Sequence, residues 1–254
     1  GNVLVERFPL EKYIPSLIYI RPEAEREKRR ELSGTAYIDF PVSKTDIRPT
    51  YRNNTEEIAK ITSSIDVVKA DEDATITAIT IKGYASPESS YANNTRLAQG
   101  RTESLKSYIE TLYNFEAGLI STEYEPEDWA GLERYVENSN LKNRDNILAI
   151  IRSDSDPDHK EWLIKSSYPT EYRLLLDNCY PALRHSDYTI SYTIRHYSDP
   201  AEIERIMLTE PQKLSLEEFY ILAQTYESGS AELDELWEIA VRMYPNDEIA
   251  NFNI

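Results

Sequence analysis

The chain has 254 residues, 40% of them hydrophobic and 11% aromatic, enough for a packed core in one large domain or two small ones. With 45 Asp and Glu against 28 Lys and Arg, the formal net charge is −17. That speaks against nucleic acid and against anionic membrane surfaces, which both need cationic patches. No run of about 18 apolar residues is present, so no membrane-spanning helix is expected, and no export signal is read in the chain itself. The single cysteine, Cys179, sits in the apolar stretch LLLDNCYPAL and reads as a buried, inert thiol. A lone cysteine leaves the redox compartment open.

In chain order, LIYIRP (17–22) reads as a short strand, and the charged run EAEREKRRE after it as a solvated turn or short helix. TAYIDFPV (35–42) reads as a strand stopped by Pro41. Asn54 is a candidate cap for a helix that carries Ile58, Ile61, Ile65 and Val68 at spacings of three and four. TITAITIKG (75–83) is a β-branched run, hence a buried central strand. Asn94 or Thr95 is expected to open the next helix, which carries Leu97, Leu105, Tyr108, Ile109 and Leu112. GLISTEY (118–124) is a third candidate strand, and from Pro126 to Leu183 the pattern is helical. YTISYTIR (188–195) alternates Tyr188, Ile190, Tyr192 and Ile194 with Thr189, Ser191, Thr193 and Arg195, as a strand with one covered face does. The order predicts an α+β fold: a mixed sheet with helices on one side.

After HYSDP (196–200) the strand signals stop. Phe219, Leu222, Ala223 and Tyr226, then Trp237, Ala240 and Pro245, are spaced like the two helices of a tetratricopeptide repeat, with a link about two residues shorter. A plain helical hairpin explains them as well. The expected organisation is an N-terminal extension over 1–33, a main domain over 34–198 with a helical insert at about 125–186, and a helical tail over 199–254.

The stretch GYASPESSYANNTRLAQGRTESLKSYI (83–109) carries the site. Gly83 ends a strand and lets the backbone turn. Ser86-Pro87-Glu88 is a turn. Asn94 is read at a helix mouth, where free N–H groups attract a carboxylate. Arg101, one helical turn beyond Leu97, is a carboxylate receiver at the same edge.

This stretch resembles, without gaps, the signature of OmpA-like peptidoglycan-associating domains. Gly83, Ala85, Asn94, Leu97, Arg101 and Leu105 stand at the signature positions, and ALRHSDYTISYTI is similar to the family's last strand, with Arg184 for one of its arginines. The SPE turn and the EDWAGLERYVE insert resemble a Bacteroidetes branch of exported OmpA-like proteins. The resemblance implies a βαβαββ fold, a periplasmic or outer-membrane-associated location, and a grip on the diaminopimelate of the peptidoglycan stem peptide. In the family an arginine takes the carboxylate and an aspartate takes the ammonium. Here Ser86 stands at the aspartate position, fifteen residues before Arg101, and Glu88 is the nearby acid. The implied ligand-binding set is Arg101, Asn94, Ser86, Ala85, Glu88 and Arg184, with weakened binding, and Tyr84 and Tyr91 flank the turn.

Catalysis is not expected. His159, His185 and His196 are scattered, and no nucleophile motif or H-E-x-x-H spacing accompanies them. Asp154, Asp156 and Asp158 suggest a calcium loop, but the sixth position is His159 and the twelfth Lys165, so no metal and no cofactor are expected. A protein-binding scaffold that has lost the wall ligand is the alternative function.

Overall fold

The computed structural model describes residues 20–253, so most of the strand expected over 17–22 lies outside them; Ile20–Pro22 are not in a strand. Among the described residues the fold is α+β, with two compact units. One is Arg29–Thr193; the other joins residues 20–28 with 194–253.

The larger unit holds a four-stranded sheet in the order β1 (Lys28–Ala36), β4 (Ser186–Ile194), β2 (Ala74–Tyr84), β3 (Ile120–Glu125). β2 and β3 run parallel, Ile79 beside Ile120 and Tyr84 beside Glu125. Glu31 meets Ser191, Ser33 meets Thr189 and Thr35 meets Asp187, so β1 and β4 are antiparallel. The sheet is therefore mixed, and α1 (Asn54–Ala70) and α2 (Tyr91–Leu112) cover one face. Their Ile58, Ile61, Ile65, Leu105 and Ile109 pack with Ile79, Ile81, Ile120, Tyr188 and Ile190. The other face is wetter: Thr75 and Thr77 of β2 are exposed, so the strand read as buried and central is interior to the sheet but fully buried only toward its C-terminal half, at Ile79 and Ile81.

Two further expectations change here. The charged run does not make a helix; its second half is β1, with Arg29, Glu31 and Ser33 alternating toward water. The strand expected over 35–42 is lost beyond Ala36 because α1 side chains take its amides: Tyr37 N donates to Glu57 at 2.9 Å and Asp39 N to Asn54 at 2.7 Å. Asn54 is thus not the cap. It is the first helical residue, fully buried, and its amide also donates to the carbonyls of Asp39 and Arg48, holding the 39–48 segment to α1.

The insert is five helices: α3 (Trp129–Glu137), α4 (Arg144–Ile151), α5 (Pro157–Ser167), α6 (Pro169–Asn178) and α7 (Tyr180–Leu183). They enclose a core of their own, around Leu132, Val136, Ile147, Ile164, Leu175 and Tyr180, with Cys179 buried in it. A segment with its own core keeps a defined surface instead of lying over the sheet as a loose connection.

In the smaller unit, α8 (Pro200–Thr209), α9 (Leu216–Ala223), α10 (Ala231–Met243) and α11 (Glu248–Asn253) bury Ile203, Ile206, Phe219, Leu236 and Trp237. Ser215 and Glu218 form a capping box at the start of α9. Glu218 also pairs with the buried ammonium of Lys28 at 2.9 Å. α9 ends at Ala223, so Tyr226 lies in the following turn, where its hydroxyl donates to Glu204.

Candidate functional site

The turn between β2 and α2 is clamped by backbone on both sides. Ala85 N donates to Glu125 O at the end of β3, and Asp128 N donates back to Ala85 O. Tyr84 N donates to His185 O at the start of β4. Ala85 therefore acts through its backbone, its methyl group being buried. Gly83 serves close packing and not a special backbone angle: a Cβ there would meet the Thr102 hydroxyl of α2 at 1.9 Å. That corrects the reading of Gly83 as a turn residue.

α2 starts earlier than expected. Ser90 is its N-cap and accepts from Asn93 N, and Asn94 lies inside the first turn, its own N–H bonded to Ser90 O. The side chain of Asn94 is buried and donates to Ser89 O and to Glu127, both at 2.8 Å. Burial pushes the Glu127 carboxyl above its ordinary value, opposed by the bonds from Asn94 and Trp129. The attraction of this helix mouth for a carboxylate is met within the chain: Tyr91 N donates to Asp158 of α5 at 2.7 Å. Asp156 caps α5, and no group of three potential metal ligands occurs among the described residues. Two of the three acids of this stretch therefore bond helix N-termini, Asp156 that of α5 and Asp158 that of α2.

Beside the turn lies a cleft of about 1070 Å³. Ser86, Asn94, Leu97 and Arg101 form its floor, Phe40, Ser43, Tyr51 and Arg52 of the 37–53 segment one wall, and Lys165, Tyr172, Arg173 and Arg184 of the insert region the other. Leu97 faces this cleft, whereas Leu105 packs against the sheet. Ser43 and Arg52, both on the cleft, hold positive φ angles of 58° and 52°. Such a conformation costs a non-glycine residue about 1–2 kcal/mol and recurs at binding sites.

All six residues in the expected set come together on this cleft. Arg101 is half-buried, stacks over the Phe40 ring at 5.1 Å and donates through Nε to Lys44 O at 3.2 Å. No carboxylate lies within 4.0 Å of it among the described residues. Burial, and then the nearby charge of Arg184, pull its pKa below the usual value. An arginine stays cationic through such a shift.

Ser86 is 2% exposed, and its hydroxyl accepts from Arg184 Nε at 3.2 Å. Arg184 Nη2 also pairs with Glu88 at 3.2 Å. The position expected to receive an ammonium is therefore occupied by a guanidinium, and Glu88 is engaged by the same group. Tyr84 stacks on His185 with centroids 4.3 Å apart, while Tyr91 remains exposed.

Sequence reasoning missed Phe40, Arg173, Lys165, Asp158 and Glu127. None belongs to the 83–109 stretch, and only a three-dimensional arrangement joins them to it. The chain matches no known family model, and no curated protein matches it. The OmpA-like resemblance accordingly rests on the spaced residues themselves.

Proposed function

We propose that the unit Arg29–Thr193 is an OmpA-like, non-enzymatic module of a cell-envelope protein, and that it binds the peptidoglycan stem peptide weakly through a carboxylate. The observation that carries this reading is Arg101: a half-buried guanidinium on the floor of a cleft, with no carboxylate partner among the described residues. Strand order, the position of the turn and the convergence of Ala85, Ser86, Asn94 and Arg184 support it. The weakness follows from Ser86 and Arg184. Where a carboxylate would attract the ligand ammonium, a hydroxyl and a guanidinium stand instead. The periplasm or outer membrane is the proposed location, and the helical tail, read as tetratricopeptide-like, is a candidate surface for other envelope proteins. Among the described residues no helix is long and apolar enough to cross a membrane.

A second reading is favoured by the Arg184 contact and by the insert's separate core: a scaffold that has kept the fold, lost the wall ligand and binds proteins. Co-sedimentation with insoluble diaminopimelate-type peptidoglycan separates the two. The first reading expects the wild type in the pellet and Arg101→Ala in solution. A wild type that stays in solution favours the scaffold.

A further inference from the structure

The cleft is cationic in an acidic chain. Five of its lining side chains are Lys or Arg and two are carboxylates, against a formal net charge of −17 for the whole sequence. Both carboxylates are engaged, Asp39 by Arg52 at 3.4 Å and Glu88 by Arg184 at 3.2 Å. Arg101, Lys165 and Arg173 have no carboxylate within 4.0 Å among the described residues. Arg101 comes from α2, whereas Lys165 is in the last turn of α5 and Arg173 is on α6. Lys165 lies over the Tyr172 ring at 5.7 Å, so this wall offers cations beside an aromatic face.

Uncompensated like charges around one cavity raise its potential and concentrate anions there. One carboxylate on Arg101 answers only part of that charge. We propose that the insert wall is a second carboxylate subsite: the ligand carries at least two carboxylates, one received by Arg101 and the other by Arg173 and Lys165. This rests on the wall-peptide reading for the identity of the ligand. Under that reading the preferred stem peptide keeps the α-carboxylate of its glutamyl residue free instead of amidated. An arginine fork and a lysine point charge both suit a carboxylate and gain nothing comparable from a neutral amide.

The test is calorimetric titration of the whole chain with two synthetic tripeptides of alanyl-γ-glutamyl-diaminopimelate whose C-terminal carboxyl is blocked as an amide, so that one diaminopimelate carboxylate remains; in one the glutamyl α-carboxylate is free, and in the other it is amidated. A γ-linked glutamate oligomer is the third probe. The variant carries Arg173→Ala and Lys165→Ala, both exposed positions at which truncation leaves the fold intact, with a thermal melt as control. The wild type is expected to bind the free acid at least fivefold more tightly than the amide, and the variant to bind the two equally. A wild type that does not discriminate, or a variant that discriminates as the wild type does, overturns the subsite. If neither tripeptide binds, the wall-peptide reading fails. The glutamate oligomer then decides the subsite: binding that the variant loses upholds it, and no binding, or binding the variant keeps, overturns it.

Discussion

Replacing Ser86 by Asp restores the acid that the OmpA-like signature carries, yet the structure predicts that this change alone achieves little. Arg184 Nε lies 3.2 Å from the Ser86 hydroxyl, and the position is 2% exposed. A carboxylate there is neutralised internally, so a ligand ammonium finds no net charge, and affinity for the diaminopimelate tripeptide changes less than about threefold. Removing Arg184 as well leaves the new carboxylate without a cation. The ligand ammonium then supplies a charge-assisted bond of about 1.5–3 kcal/mol, a gain of roughly ten- to a hundredfold. Arg184→Ala alone removes a repulsion and gains a few-fold at most. Calorimetric titration of the four proteins closes a double-mutant cycle, and the account requires a coupling of at least about 1 kcal/mol. A tenfold gain from Ser86→Asp by itself refutes the role given to Arg184.

Other consequences are measurable on the unliganded protein. Gly83→Ala pushes a Cβ into the Thr102 hydroxyl and costs about 1–3 kcal/mol in urea unfolding, whereas the pair Gly83→Ala with Thr102→Ala falls short of the summed losses by about 1 kcal/mol or more. Burial raises the Glu127 pKa in the folded state above its ordinary 4.5. Its ionisation cost is absent below the ordinary pKa and grows as pH rises through the raised one. Glu127→Gln therefore loses less stability between pH 4 and pH 7 than the wild type does, and an equal loss counts against the buried charge. The Cys179 thiol, raised to about 12 by burial and then by Asp128, resists alkylation at pH 8 until urea unfolds the insert. Rapid native labelling would place it outside the core.

The legible parts of the fold were those in which one physical signal dominated. The alternation at 188–195 corresponds to β4, and the isoleucines of α1 face the sheet as their spacing predicts. The signal failed where polar side chains decide the structure at long range. Glu57 and Asn54 end β1 by taking the amides of Tyr37 and Asp39. Charge density concealed the β1 alternation, because Arg29 and Glu31 lie on a wet sheet face where charge is tolerated. The site was legible along α2, where Ser86, Asn94 and Arg101 share one turn and one helix. Its other wall was not, because Arg173 and Lys165 reach it from the insert. The helix start was misplaced because Ser90 caps α2 where Asn94 or Thr95 was expected to, and the second acceptor at this helix mouth, Asp158, comes from a distant part of the chain.

The binding proposed for this cleft stands or falls on whether Arg101 receives a ligand carboxylate. The dissociation constant of the diaminopimelate tripeptide, measured by calorimetry for the wild type and Arg101→Ala, tests it directly. Loss of one charge-assisted bond, about 1.5–3 kcal/mol, predicts binding at least tenfold weaker in the variant. A dissociation constant unchanged by Arg101→Ala would contradict the account.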